Sequence, residues 1–137
     1  MEKDCIFCRI IAGEVPADKF YEDDDFIAML DVGPVSTGHT LVIPKDHFVN
    51  IFDAPEEALT KIGPVIKKIS QAIKTGVQAD GLNIHVNNGQ DAGQAVFHAH
   101  VHLIPRFKGD DLVHWEAKGN PTREEFEETK DKIISEL

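Results

Sequence analysis

Towards its end the chain alternates histidine with small or apolar residues: His98-Ala99-His100-Val101-His102-Leu103-Ile104-Pro105. A period of two is the pattern of a β-strand, and in a strand it sends all three imidazoles to one face, roughly 6–7 Å apart. Imidazole titrates near neutrality and is a common metal ligand. A face built from three of them points to catalysis, metal binding or both.

The elements around this run make a small α+β unit. Phe20-Tyr21 and Phe26–Leu30 read as two strands joined by the acidic turn Glu22–Asp25, and Thr40–Ile43 as a third, stopped by Pro44. Asp53 has the chemistry of a helix N-cap, with Pro55 in the first turn and Glu56 three residues on. From there Ala58, Leu59, Ile62, Val65, Ile66, Ile69, Ala72 and Ile73 recur at intervals of three and four, which predicts one long amphipathic helix ending near Gly76, bent at Pro64. Leu82–Asn87 alternates as a fourth strand, and Val96–Ile104 is the fifth. Residues 1–12 read as a short apolar arm. In the tail, Thr122 and Glu125 have the spacing of a capping box, ahead of a weak apolar face of Phe126, Ile133, Ile134 and Leu137. At 137 residues the expectation is a single domain over 1–137, with a C-terminal extension from about 108 and an antiparallel sheet of about five strands covered by one helix.

A net charge of −10 argues against broad contact with nucleic acid, which needs basic surface. It leaves room for a small phosphate compound, because a pocket depends on local donors. No apolar run reaches the length of a membrane span, and Met1-Glu2-Lys3-Asp4 is not followed by a signal-peptide core, so a cytoplasmic location is expected. The only cysteines, Cys5 and Cys8, are spaced as half a metal site or as a redox pair. Redox motifs of this spacing open a helix after a buried strand, and no strand precedes Cys5.

The loop entering the last strand is rich in glycine and amides. Backbone N–H groups near Gly93 and the side chain of Gln94 can donate to phosphate oxygens. A neutral imidazole can attack phosphorus and carry a nucleotidyl group as a covalent intermediate. This combination resembles the histidine-triad (HIT) family of nucleotide hydrolases and transferases. The likeness also takes in Ile6–Ala17, Gly38–Lys45, and Asn87 through Arg106, so it covers roughly residues 4 to 108.

The resemblance implies that His100, the middle histidine, is the nucleophile. It implies that His39, Asn87, Gln94 and His102 hold the α-phosphate, that Asp31 binds the ribose, and that Phe7, Ile10, Met29 and Val32 hold the base. His102 and Gln94 would stabilise charge developing on the phosphate oxygens. Likeness to the branch of the family with a Cys-x-x-Cys zinc site adds Cys5, Cys8, His47 and His98 as ligands of a structural zinc, with no catalytic metal. It further implies a homodimer acting on an AMP-type purine nucleotide, cleaved from a phosphoramidate, an acyl adenylate or a dinucleoside polyphosphate. One position departs from the pattern: many members carry Ser or Thr directly after the Gly-Gln pair, and here it is Ala95. Two other readings stand beside this one. The chain could be a nucleotide-binding or scaffold protein with little turnover, or a zinc enzyme using all three histidines, which a straight strand disfavours because its side chains do not converge on one ion. His85 reads as a packing or surface residue, and Trp115, beside His114, as cover for a dimer core or as a contributor to substrate choice.

Overall fold

The computed structural model describes residues 2–111 and 117–137. In chain order the elements are α1 (Ile6–Ile11), β1 (Lys19–Glu22), β2 (Phe26–Leu30), β3 (Thr40–Pro44), α2 (Glu56–Gly76), β4 (Gly81–His85), a 3-10 turn (Gln90–Ala92), β5 (Val101–Arg106) and α3 (Arg123–Ile134). The five strands form one antiparallel sheet in the order β1-β2-β3-β5-β4. Among the described residues no helix is long and apolar enough to cross a membrane.

Strand alternation divides the core into two layers. Phe26, Ala28, Val42, Val101 and Leu103 face α2, where they meet Ile69 and Ile73. Ile27, Met29, Leu41 and Ile43 face the other way, onto Phe7 and Ile10 of α1. The central strands β2 and β3 are therefore apolar on both faces and buried throughout, apart from Leu30. His102 alternates with Val101 and Leu103, so it belongs to the α1 side. Register puts Leu41 on one side of His102 and His85 on the other.

Two local expectations are corrected. The N-terminal arm is helical: α1 is capped by the Cys5 sulfur, which accepts from the Cys8 N–H at 3.4 Å. Asp53 does not cap α2. Its carboxylate accepts from the Val49 and Asn50 N–H groups at 2.8–3.0 Å and braces the preceding turn, while the N-cap position falls on Pro55. As expected, one helix runs to Gly76: α2 is α-helical from Glu56 with Pro64 inside it, and apolar contacts on both sides of Pro64 hold the helix to the sheet. The tail follows its pattern. Thr122 and Glu125 form a reciprocal capping box for α3, a helix with no buried residue.

Gly38 joins the turn before β3 to the end of α2. Its φ is +89°, and a Cβ there would lie 3.1 Å from Val77 Cγ1 and 3.3 Å from Pro105 Cγ, so both backbone conformation and space require glycine. Leu103 is completely buried between β3, β4 and α2. Leu103→Ala is expected to lower the unfolding free energy by about 2–5 kcal/mol, read as a reduced urea midpoint at an unchanged m-value.

Candidate active site

β5 begins only at Val101, so the expected strand over Val96–Ile104 is shorter at its N-terminal end. The cause lies in the neighbouring strand. The β3–β5 ladder ends at Val42↔Val101, and further on Pro44 has no N–H to continue it. The Ala99 N–H donates instead to the Phe48 carbonyl at 2.8 Å. His98 and His100 thus sit on irregular backbone before the strand, and His102 within it. All the same they share a side of the sheet. Phe7 meets His98 and His100 edge-on, with ring centroids 5.8 and 5.1 Å away, and the His100 and His102 rings are 5.0 Å apart.

His98 is fully buried. Its Nε2–H donates to the Pro44 carbonyl at 2.7 Å, which fixes the tautomer and leaves Nδ1 with a free lone pair. That atom faces Cys5 Sγ at 3.4 Å, Cys8 Sγ at 3.5 Å and His47 Nδ1 at 3.0 Å, while Cys8 Sγ lies 3.4 Å from His47 Nδ1. A tetrahedral zinc with bonds of about 2.3 Å to sulfur and about 2.0 Å to nitrogen needs S···N separations of about 3.5 Å and N···N of about 3.3 Å. The four side chains fit such an ion in donor type, number and spacing. Burial pushes the Cys8 thiol up, so a cation at this point is what would favour its thiolate.

Asp31, His39 and His102 form a second cluster, with ligand-type atoms within 4.8 Å of one another. Its hydrogen bonding argues against a metal. The Val35 N–H donates to His39 Nδ1 at 3.0 Å, so the proton of neutral His39 is on Nε2. That Nε2–H donates to His102 Nδ1 at 3.0 Å, with Asp31 Oδ2 at 3.6 Å. His102 must then carry its own proton on Nε2. Val35, His39 and His102 thus form a hydrogen-bonded chain that orients His102, with the Asp31 carboxylate beside it.

His100 is oriented from the other side. Its Nδ1–H donates to the His98 carbonyl at 2.8 Å, which leaves Nε2 unprotonated. Burial lowers the pKa of both His39 and His100. His102 is pushed down to about 4, by burial first and then by the neighbouring imidazoles of His100, His85 and His39.

His100 and His102 line a cleft of about 460 Å³. Its lining is apolar at Phe7, Ile10 and Met29 and polar at Asp31 and Asn87, with the Gly93 backbone beside Asn87. Val32 also lines it. Two expected phosphate ligands do not reach it. Gln94 is buried, with Nε2 donating to the Val49 and Val96 carbonyls at 2.6 and 3.1 Å and Oε1 accepting from the Gly89 N–H at 2.9 Å. Its amide braces the loop by bonding backbone groups. His39 lies behind His102, 3% exposed. The sequence reading missed the wall formed by Ile6 and Val15–Asp18; the positive φ of Gly13, +77°, marks the turn at the end of α1 before that wall. It also missed His85, whose ring lies 4.8 Å from that of His102. His114 and Trp115 lie outside the described residues.

The HIT domain family model matches residues 12–109. The chain belongs to the HIT family. Among solved structures, SMU.412c from Streptococcus mutans UA159 superposes with a TM-score of 0.94 at 41% identity, covering 99% of this chain and 87% of that one. A Zn-bound histidine triad family protein from Mycobacterium smegmatis superposes with a TM-score of 0.77 at 38% identity, covering 98% of each chain. The curated relative Adenylylsulfatase HINT3 of Arabidopsis thaliana is 43% identical over 112 residues, which span 82% of this chain and 57% of that protein.

The Cys5–Cys8–His47–His98 cluster is expected to bind one equivalent of zinc. Cobalt in its place is expected to give a thiolate charge-transfer band that Cys8→Ser weakens and the double change Cys5→Ser/Cys8→Ser removes, and chelation is expected to lower the melting temperature. The pH dependence of stability follows from His102. Its folded pKa of about 4 lies below an unfolded value of about 6.5, so the unfolded chain binds the proton more readily. Its contribution is complete above pH about 6.5 and is lost as pH falls to about 4. Urea midpoints are expected to drop across that window, with a shallower slope for His102→Gln.

Proposed function

We propose that this HIT-family chain is a nucleotide-binding hydrolase or transferase that removes a nucleoside monophosphate from a leaving group through a nucleotidyl-histidine. The observation that carries this reading is the state of His100: Nδ1–H on the His98 carbonyl, Nε2 unprotonated, and the ring on the wall of the cleft. The apolar lining takes the base of an AMP-type nucleotide, with Phe7, Ile10, Met29 and Val32 around it. The Asp31 carboxylate accepts from the ribose hydroxyls.

The reaction runs in two steps. The Nε2 lone pair of His100 attacks the α-phosphorus in line with the departing group, and the bond to that group breaks. Water then attacks phosphorus, and the electron pair of the P–N bond returns to Nε2. The Nε2–H of His102 and the amide of Asn87 donate to the phosphate oxygens, where fixed donors lower the barrier most. Gln94 and His39 act one step back: the first holds the loop carrying Gly93, the second holds the tautomer of His102. Zinc bound by Cys5, Cys8, His47 and His98 would tether α1, and Phe7 with it, to the segment carrying His100. No step of the reaction uses that metal.

Three further parts of the reading have separate support. A homodimer fits the half-exposed Ile84 on the sheet-edge strand β4 and the exposed Leu59 on α2. A cytoplasmic setting fits two cysteines that are not disulfide-bonded. The name of the HINT3 relative supports hydrolysis at an adenylyl group.

Quenching the protein with an adenylyl conjugate and mapping the adduct by mass spectrometry tests the mechanism. An adenylyl group on His100 is expected. His100→Ala is expected to lose about 10³-fold or more in turnover while still binding AMP. AMP binding with neither adduct nor turnover in the unaltered protein would support a binding or scaffold role instead.

A further inference from the structure

Any group expelled from phosphorus needs somewhere to put the electron pair of the broken bond, and the walls of the cleft limit where that can be. Among the described residues lining it there is no serine, threonine, tyrosine, lysine, arginine or cysteine. Ala95, two residues after Gly93 in the same lining, offers a methyl group. The polar side chains that remain are Asp18, Asp31, Asn87, His100 and His102. A carboxylate is an acceptor, and an amide N–H is not an acid.

The imidazole protons are committed as well. His100 holds its single proton at Nδ1, on the His98 carbonyl. His102 accepts from His39 at Nδ1 and keeps its single proton at Nε2. That N–H can steady a phosphate oxygen, but releasing it would leave an imidazolate. Burial and the adjacent imidazoles oppose a second proton on His102, so the ring does not store one for delivery.

On this basis, and resting on the hydrolase reading above, we propose that the cleft selects its substrates by the acidity of the leaving group: it cleaves mixed anhydrides of a nucleoside monophosphate with sulfate, a phosphate or a carboxylate, and is slow on amine conjugates. With an anhydride, the Nε2 pair forms the P–N bond and the P–O pair departs onto an oxygen of the leaving acid, whose other oxygens share the charge. No proton has to move. With an amine conjugate the breaking bond is P–N, and its electron pair lands on nitrogen. Unless a proton arrives with it, the product is an amide anion, and among the described residues no side chain lining the cleft delivers that proton. Both substrates give the same nucleotidyl-histidine, so the second step is common to them. The selection lies in the first.

The test is a series sharing one adenosine 5′-monophosphate group and differing in the leaving group: adenylyl sulfate, a diadenosine polyphosphate and an alkylamine phosphoramidate. Adduct formation on His100 is timed by rapid quench and mass spectrometry, beside kcat/KM. General acids contribute about 10²–10⁴-fold to such steps, so the adduct rate is expected to fall about 10³-fold from sulfate to alkylamine. Alkylamine turnover within tenfold of sulfate overturns the selection while leaving the covalent mechanism in place. Absence of adduct and turnover with every member overturns both. Ala95→Ser, checked for folding by AMP binding, is expected to narrow the sulfate-to-amine ratio at least tenfold; an unchanged ratio in a folded variant assigns the selection to something other than the missing donor and overturns the proposal.

Discussion

Pro44 ends β3 with a carbonyl that the β5 ladder does not use, and the Nε2–H of His98 takes it at 2.7 Å. Much of the site follows from that one bond. It consumes the only proton of neutral His98, so Nδ1 is available to the sulfurs of Cys5 and Cys8 and to His47. It holds the main chain of His98 at the point where its own carbonyl receives the Nδ1–H of His100. A single side chain thus sets the geometry of the candidate metal centre through one ring edge and the tautomer of His100 through its backbone. The Cys–His cluster and the nucleotide cleft are separate pockets of chemistry joined through that residue, and Phe7 of α1 lies edge-on to both of its histidines.

A second chain of hydrogen bonds reaches the cleft from the opposite side, from the Val35 N–H through His39 to His102. The two chains end differently. One leaves a lone pair at His100 Nε2, the other a proton at His102 Nε2. Burial keeps the rings neutral, and each additional imidazole makes protonation of its neighbours harder. Two rings of the same residue type, 5.0 Å apart, are thereby kept distinct, one offering a lone pair and the other an N–H. The overall charge of −10 is compatible with the proposed phosphate binding, which would rest on oriented dipoles rather than on a basic surface.

The parts of this arrangement that depend on periodicity were legible in the sequence. Short runs bounded by turn residues, Phe26–Leu30 and Thr40–Ile43, marked the central strands, the spacing of Ile62, Val65, Ile66, Ile69 and Ile73 marked α2, and the histidine alternation placed three rings on one side. What escaped were features decided by a neighbour in space. The fifth strand starts late because Pro44, more than fifty residues earlier, cannot pair with it. Asp53 has a capping side chain, yet the turn before it offered two unpaired N–H groups closer at hand. The six residues of α1 are too few to display a helical period, so the arm gave no signal of its own beyond its apolar content.

Gln94 and His39 show where resemblance alone stops. Adjacency to Gly93 and to β3 puts both residues near the proposed phosphate site, but does not say which way the polar end of each turns. Gln94 finds two backbone carbonyls and one N–H within reach, and a buried primary amide with all three satisfied has no reason to turn outward. His39 has an N–H donor on one nitrogen and an acceptor on the other, so it too is complete without a ligand. Both therefore rigidify groups that face the cleft. The donors left for a phosphate are few and fixed in direction. That favours stabilisation of developing negative charge, which needs only oriented N–H groups, over proton transfer, which needs a group able to give one up.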